Sequence, residues 1–119
     1  MVKKPVCVVE SEASAVILSE LLPESLWMAY ADNTFLHPEF LAPLQGRMVT
    51  IYPRTDSTRS TYLFFQEYAA LVRRTYPTID ISVDTTLEDH ATDQQKARSI
   101  DLLDFIFDSH TNCKNPTDD

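Results

Sequence analysis

The stretch Val6–Ile17, "VCVVESEASAVI", decides the fold. It opens on Val6-Cys7-Val8-Val9, an unbroken apolar run rich in β-branched residues, the pattern of a strand covered on both faces in a parallel sheet. Glu10 ends the run, and Ser11 is a residue type that accepts the free amides of a helix's first turn. "EASAVILSELL" therefore reads as a helix that begins beside Ser11, sets Val16, Ile17 and Leu21 at helical spacing, and stops at Pro23. A buried strand feeding directly into a helix is the first half of a right-handed β-α-β unit.

The pattern continues on the C-terminal side. "LWMAY" (Leu26 to Tyr30) predicts a second strand. "HPEFLAPLQG" predicts a short helix, with proline near its start and Gly46 past its end. "MVTIY" (Met48 to Tyr52) is the third strand. The polar stretch "YPRTDSTRST" (Tyr52 to Thr61) leads into the clearest helix of the chain, where Phe64, Phe65, Tyr68, Leu71 and Val72 form one stripe that ends near Arg73, Arg74 and Pro77. "IDISVD" alternates Ile79, Ile81 and Val83 with Asp80, Ser82 and Asp84, the period of an edge strand with one wet face. Thr92 and Gln95 have capping-box spacing, and Asp101 and Asp104 either cap a final helix, "LLDFIF", or lean toward the crevice at the strand ends. The alternation predicts a three-layer α/β/α, Rossmann-like domain over residues 1–108, with a four-stranded mainly parallel sheet in the order 2-1-3-4. Residues 109–119 read as a disordered tail.

Composition removes several functions. The 119 residues, 44% hydrophobic, suit one domain. A formal charge of −8 and a pI near 4.7 argue against a nonspecific nucleic-acid binder. Gly46 is the single glycine, so neither a P-loop nor a dinucleotide-binding glycine turn can form. Cys7 lies in an apolar run and Cys113 in a polar one, which reads as two unrelated thiols; His37, His90 and His110 share no zinc-ligand spacing with them. No segment has the length of a membrane span, and Glu10 interrupts the only apolar run near the N-terminus, so the expectation is a cytoplasmic protein without a membrane partner.

In the order 2-1-3-4, strands 1 and 3 are neighbours at the topological switch point, where ligands of such sheets bind at the carboxyl ends. That brings Glu10, with Glu12 close by, to the Arg54–Asp56 segment. Acids gathered there could hold Mg²⁺; equally, Glu10 and Glu12 could be first-turn acids that suit the helix dipole. Ser57, Thr58, Ser60 and Thr61 lie at the start of the next helix, and Arg54 and Arg59 add positive charge, a candidate anion site whose alternative is hydroxyl capping. Arg73 and Arg74 belong to the far end of that helix, ~20 Å away, as complements to its C-terminus.

The segments "VCVVESEASAVI", "LWMA", "LQGRMVTIYP" and "ATDQQKARSIDLLDFIFD" together resemble Toprim domains of bacterial DNA primases, in particular an uncharacterised Toprim-like family with a V-E-S-E start. The resemblance covers Pro5 to Asp108. It implies a strand-1 glutamate acting as acid or base in phosphodiester chemistry and a D-x-D pair after strand 3 that holds Mg²⁺. Glu10 matches the glutamate and Asp56 the second aspartate; Arg54 stands in place of the first, and Ala13 in place of a frequent lysine. A guanidinium is always charged, accepts no hydrogen bond and repels a divalent ion. The expectation is that Arg54 pairs with Glu10 or Asp56 across the crevice and impairs the Mg²⁺ site formed by Glu10 and Asp56. The reading that follows is a non-catalytic domain of a replication or mobile-element protein that binds nucleic acid, nucleotide or a replication partner. The alternatives are an active Mg²⁺-dependent nucleotidyl transfer domain with Glu10 catalytic and, more remotely, a receiver-like signalling domain, which would need acids that strands 1 and 3 do not supply.

Overall fold

The computed structural model describes residues 4–30 and 38–114. Its centre is a four-stranded, all-parallel sheet in the order β2-β1-β3-β4, formed by β1 (Val6–Val9), β2 (Leu26–Ala29), β3 (Met48–Ile51) and β4 (Asp80–Val83). β1 is buried along its whole length, because helices cover both faces: Val6 and Val8 point into one core layer and Val9 into the other. The first layer gathers Val49, Ile51, Ile81 and Tyr30 under Phe65, Tyr68, Ala69 and Val72 of α2 (Ser60–Thr75). Leu41, from a 3-10 helix at Pro38–Leu44, closes that layer. The second layer packs Ala15 and Leu18 of α1 (Glu12–Leu21) with Leu102 and Leu103 of the last helix. The expected order and all four strands are present, so β1 and β3 do meet at the switch point.

Local signals explain most boundaries. Ser11 caps α1 by accepting the Ser14 amide at 3.0 Å. Gly46 takes φ 83°, which lets the chain turn after the 3-10 helix, and its amide reaches the Thr78 carbonyl. Two short helices follow β4, α3 (Thr86–His90) and α4 (Asp93–Ala97), the second carrying the expected Thr92/Gln95 capping box. The final helix, α5 (Leu102–Lys114), runs beyond Asp108 into the segment read as a tail. His37, at the head of the expected short helix, and residues 115–119 lie outside the described residues. None of the described helices is long and apolar enough to cross a membrane.

Two apolar stripes differ from expectation. α1 turns Ser14, Ala15 and Leu18 inward, while Val16, Ile17 and Leu21 face outward. α2 buries Phe65, Tyr68, Ala69 and Val72 but leaves Leu63, Phe64 and Leu71 exposed. For α1 the rotation is held by a polar contact inside the fold: the Ser14 hydroxyl donates to a buried Asp101 carboxylate oxygen at 2.6 Å, which directs that face of the helix toward α5.

Candidate functional site

The carboxyl ends of β1 and β3 lead into a corner built from Glu10, Ser11, Arg54, Thr55 and Asp56. After Ile51 the chain leaves the sheet while the Tyr52 amide still reaches the Val8 carbonyl at 2.8 Å. Two further bonds fix the path: the Arg54 amide donates to the Tyr30 phenol oxygen at 3.2 Å, and the Thr55 amide to the Ile100 carbonyl at 2.9 Å. Burial pushes the Tyr30 phenol up to about 12, so it stays a neutral acceptor at ordinary pH.

So held, Arg54 extends its guanidinium across the crevice to Glu10, with Nη1 at 3.1 Å from Oε2. Both side chains remain partly exposed, at 42% and 28%. Burial holds the Glu10 carboxyl above its ordinary value of 4.5; Arg54 opposes the rise, and the nearby Asp101 and Asp104 carboxylates add to it. This is the pairing expected from the sequence, with Glu10 rather than Asp56 as the partner.

Asp56 does something else. Its Oδ1 accepts the Thr58 amide and hydroxyl, both at 3.1 Å, and the Ser60 amide at 2.9 Å. Its Oδ2 accepts the Ser60 hydroxyl at 2.9 Å and the Thr61 amide and hydroxyl at 3.2 and 2.9 Å. Although burial acts to raise its pKa, the bonds from Thr61 and Ser60 outweigh that and hold the carboxyl far below the usual carboxylate range. Asp56 is thus the anion of α2's own N-terminus. The loop can reach back this way because Arg59 adopts a left-handed φ of 64°, a strained conformation for a non-glycine residue. Arg59 is held there by the Glu88 carboxylate, 3.0 Å from Nε, and by the Tyr62 ring, 5.3 Å from the guanidinium carbon.

These bonds bear on both ligand expectations. For an external anion, the donors invoked at Thr58, Ser60 and Thr61 already serve Asp56, and Arg54 and Arg59 already face Glu10 and Glu88; Ser57 stands exposed on the turn. For Mg²⁺, Glu10 carries a guanidinium and the oxygens of Asp56 are enclosed by six donors, so the donor set does not fit a divalent ion. Among the described residues no group of three or more His, Cys, Asp or Glu side chains has a metal-holding arrangement. Glu12 is an exposed first-turn acid on α1.

A second set of polar residues supports the corner from the α5 side. Ser11 donates to the Ser14 hydroxyl oxygen at 2.9 Å, and Ser14 donates to Asp101. Asp101 also caps α5 by accepting the Asp104 amide at 3.0 Å, while its own amide donates to Asp104 at 3.3 Å. Capping and leaning toward the crevice, alternatives in sequence, are both realised. Burial raises the Asp104 carboxyl, and the neighbouring Asp101 charge adds to the rise. The "ATDQQKARSID" segment reaches this place through α4, which is tied to α5 where Gln95 and Arg98 both donate to Asp108 at 3.0 Å. Ser14 and Tyr30 went unmarked in the sequence: a serine inside a helix and a tyrosine ending a strand carry no spacing signal of their own.

A family model described as a domain of unknown function (DUF6371) matches residues 1–55. The match spans β1, α1, β2 and β3 and includes both Glu10 and Arg54, stopping just before Asp56. No curated protein and no solved structure matches the chain.

Proposed function

We propose that this chain is a Toprim-like domain, of the kind found in replication and mobile-element proteins, in which an internal ion pair has replaced the metal-binding crevice and binding has replaced catalysis. The observation that carries the proposal is the 3.1 Å contact between Arg54 and Glu10 at the switch point, with Asp56 withdrawn to the start of α2. The preferred occupant of the crevice region is another protein. Glu10, Asp101 and Asp104 make this end of the sheet acidic, the Ser60 and Thr61 amides at the start of α2 already serve Asp56, and the chain carries −8, all unfavourable to a phosphate backbone.

Titration with Mg²⁺ and Mn²⁺, followed by backbone and carboxylate NMR, tests this reading in the natural chain and in Arg54→Asp. The expected result is no saturable shift at Glu10 in the natural chain and a saturable one in the variant, where a guanidinium gives way to a ligand oxygen. A second reading has one observation in its favour: the raised Glu10 carboxyl suits an acid-base group. Saturable Mg²⁺ shifts centred on Glu10 and Asp56 of the natural chain would favour that active Mg²⁺-dependent domain and overturn the non-catalytic proposal.

A further inference from the structure

The outward face of α2 is unlike a solvated helix surface. Leu63, Phe64 and Leu71 are 51%, 43% and 38% exposed. A shallow hollow of about 310 Å³ lies along this face, lined by Phe64, Glu67, Tyr68, Leu71 and Arg74. Phe64 stacks on Tyr68 with centroids 6.3 Å apart and planes 19° from parallel, which gives the hollow a stiff aromatic wall.

Positions 64, 67, 71 and 74 recur at i, i+3, i+7 and i+10, the spacing of a helix-helix seam. Two are apolar and two carry opposite charges. Neither Glu67 nor Arg74 has an ion pair among the described residues. They are two turns apart, ~10.5 Å along the axis, so they cannot neutralise each other within one helix.

We infer that this face of α2 is the contact surface of a symmetric pair of this chain, the two helices packed antiparallel about a two-fold axis beside Leu71. Such an interface uses one patch twice, so every group must find its complement at the mirrored position of the same patch. The seam satisfies that requirement. With the axis midway between Glu67 and Arg74, each Glu67 meets the partner's Arg74, and each Arg74 the partner's Glu67. Leu71 packs close to the axis against the hollow, and Phe64 reaches toward the partner's Pro77, which is exposed at the end of α2. A phosphate backbone is a poorer occupant, because a surface with one carboxylate for each cation offers it no net attraction. The inference is independent of the proposed crevice function, whose residues Glu10, Arg54 and Asp56 precede α2 and take no part in the seam.

Sedimentation equilibrium over a wide concentration range tests it, on the natural chain and on charge-reversed variants. Glu67 and Arg74 are both exposed, so neither change threatens the core; circular dichroism checks each fold. The natural chain should be a reversible dimer. Glu67→Arg and Arg74→Glu should each weaken dimerisation by about tenfold or more, since each places like charges opposite one another twice. The combined Glu67→Arg/Arg74→Glu variant should return to within a few-fold of the natural affinity. A natural chain that stays monomeric up to millimolar concentration overturns the inference. So does a dimer indifferent to either single reversal, or a double variant no tighter than the singles.

Discussion

At the scale of single residues, the corner after β3 shows a carboxylate committed wholly to the start of its own helix. Asp56 has more donors around it than a metal ligand can spare, and its contribution is to helix stability. Asp56→Ala should destabilise the fold by about 1–2 kcal/mol in urea unfolding, the usual cost of losing a helix cap. Because the folded carboxyl titrates below its unfolded value near 3.8, its stabilisation is complete above that pH and is lost as acid protonates it toward the lower folded value. Acid unfolding of Asp56→Asn should therefore lose part of the natural chain's decline below about pH 4. Glu10 has the opposite sign: its raised carboxyl makes the fold less stable as pH climbs from 4.5 through the folded value. Thr55 supplies a different test. Its side chain is fully buried and its hydroxyl has no hydrogen-bond partner among the described residues. Thr55→Val should therefore be neutral or stabilising by up to about 1 kcal/mol, read as a shift in unfolding midpoint.

At the scale of elements, α1 separates what a pattern can say from what only packing decides. Leu18→Ala, at 0% exposure, should cost about 2–5 kcal/mol, whereas Val16→Ser, at 65%, should stay within about 0.5 kcal/mol. Reading Val16, Ile17 and Leu21 as the inward stripe would reverse that ranking. The strand and helix positions were legible because β-branched runs, Ser11, Pro23 and Gly46 act through local chemistry. The 2-1-3-4 order was legible because the continuous apolar run of β1 demands neighbours on both sides and the alternation of β4 demands an edge. The rotation of α1 was not, since it depends on Ser14 meeting Asp101, a contact across 87 positions that no window on the sequence contains. The Arg54–Glu10 pair was legible through the strand order, which makes their two strands neighbours. The enclosure of Asp56 by the first turn of α2 was not, because it rests on the left-handed backbone at Arg59, a conformation that its residue type does not announce.

At the scale of the whole molecule, the two sides of the sheet are held differently: α2 and the 3-10 helix cover one face through a mainly apolar layer, while α1 and α5 on the other are also tied by Ser14 and Asp101. Ser14→Ala would leave a buried carboxylate oxygen without its donor and should cost about 1–3 kcal/mol, with amide-exchange protection lost first in α1 and α5. The lateral margins of the sheet matter as well. The backbone amides of Asp80 and Asp84 donate inward to the Arg47 and Ile51 carbonyls, so the Ile81 carbonyl between them faces away from β3, and Arg73 of α2 donates two bonds to it at 3.1 and 3.0 Å. A fifth strand added along this margin would have to displace the Arg73 guanidinium from the central carbonyl of β4, which makes edge-to-edge pairing there costlier than along an unguarded strand.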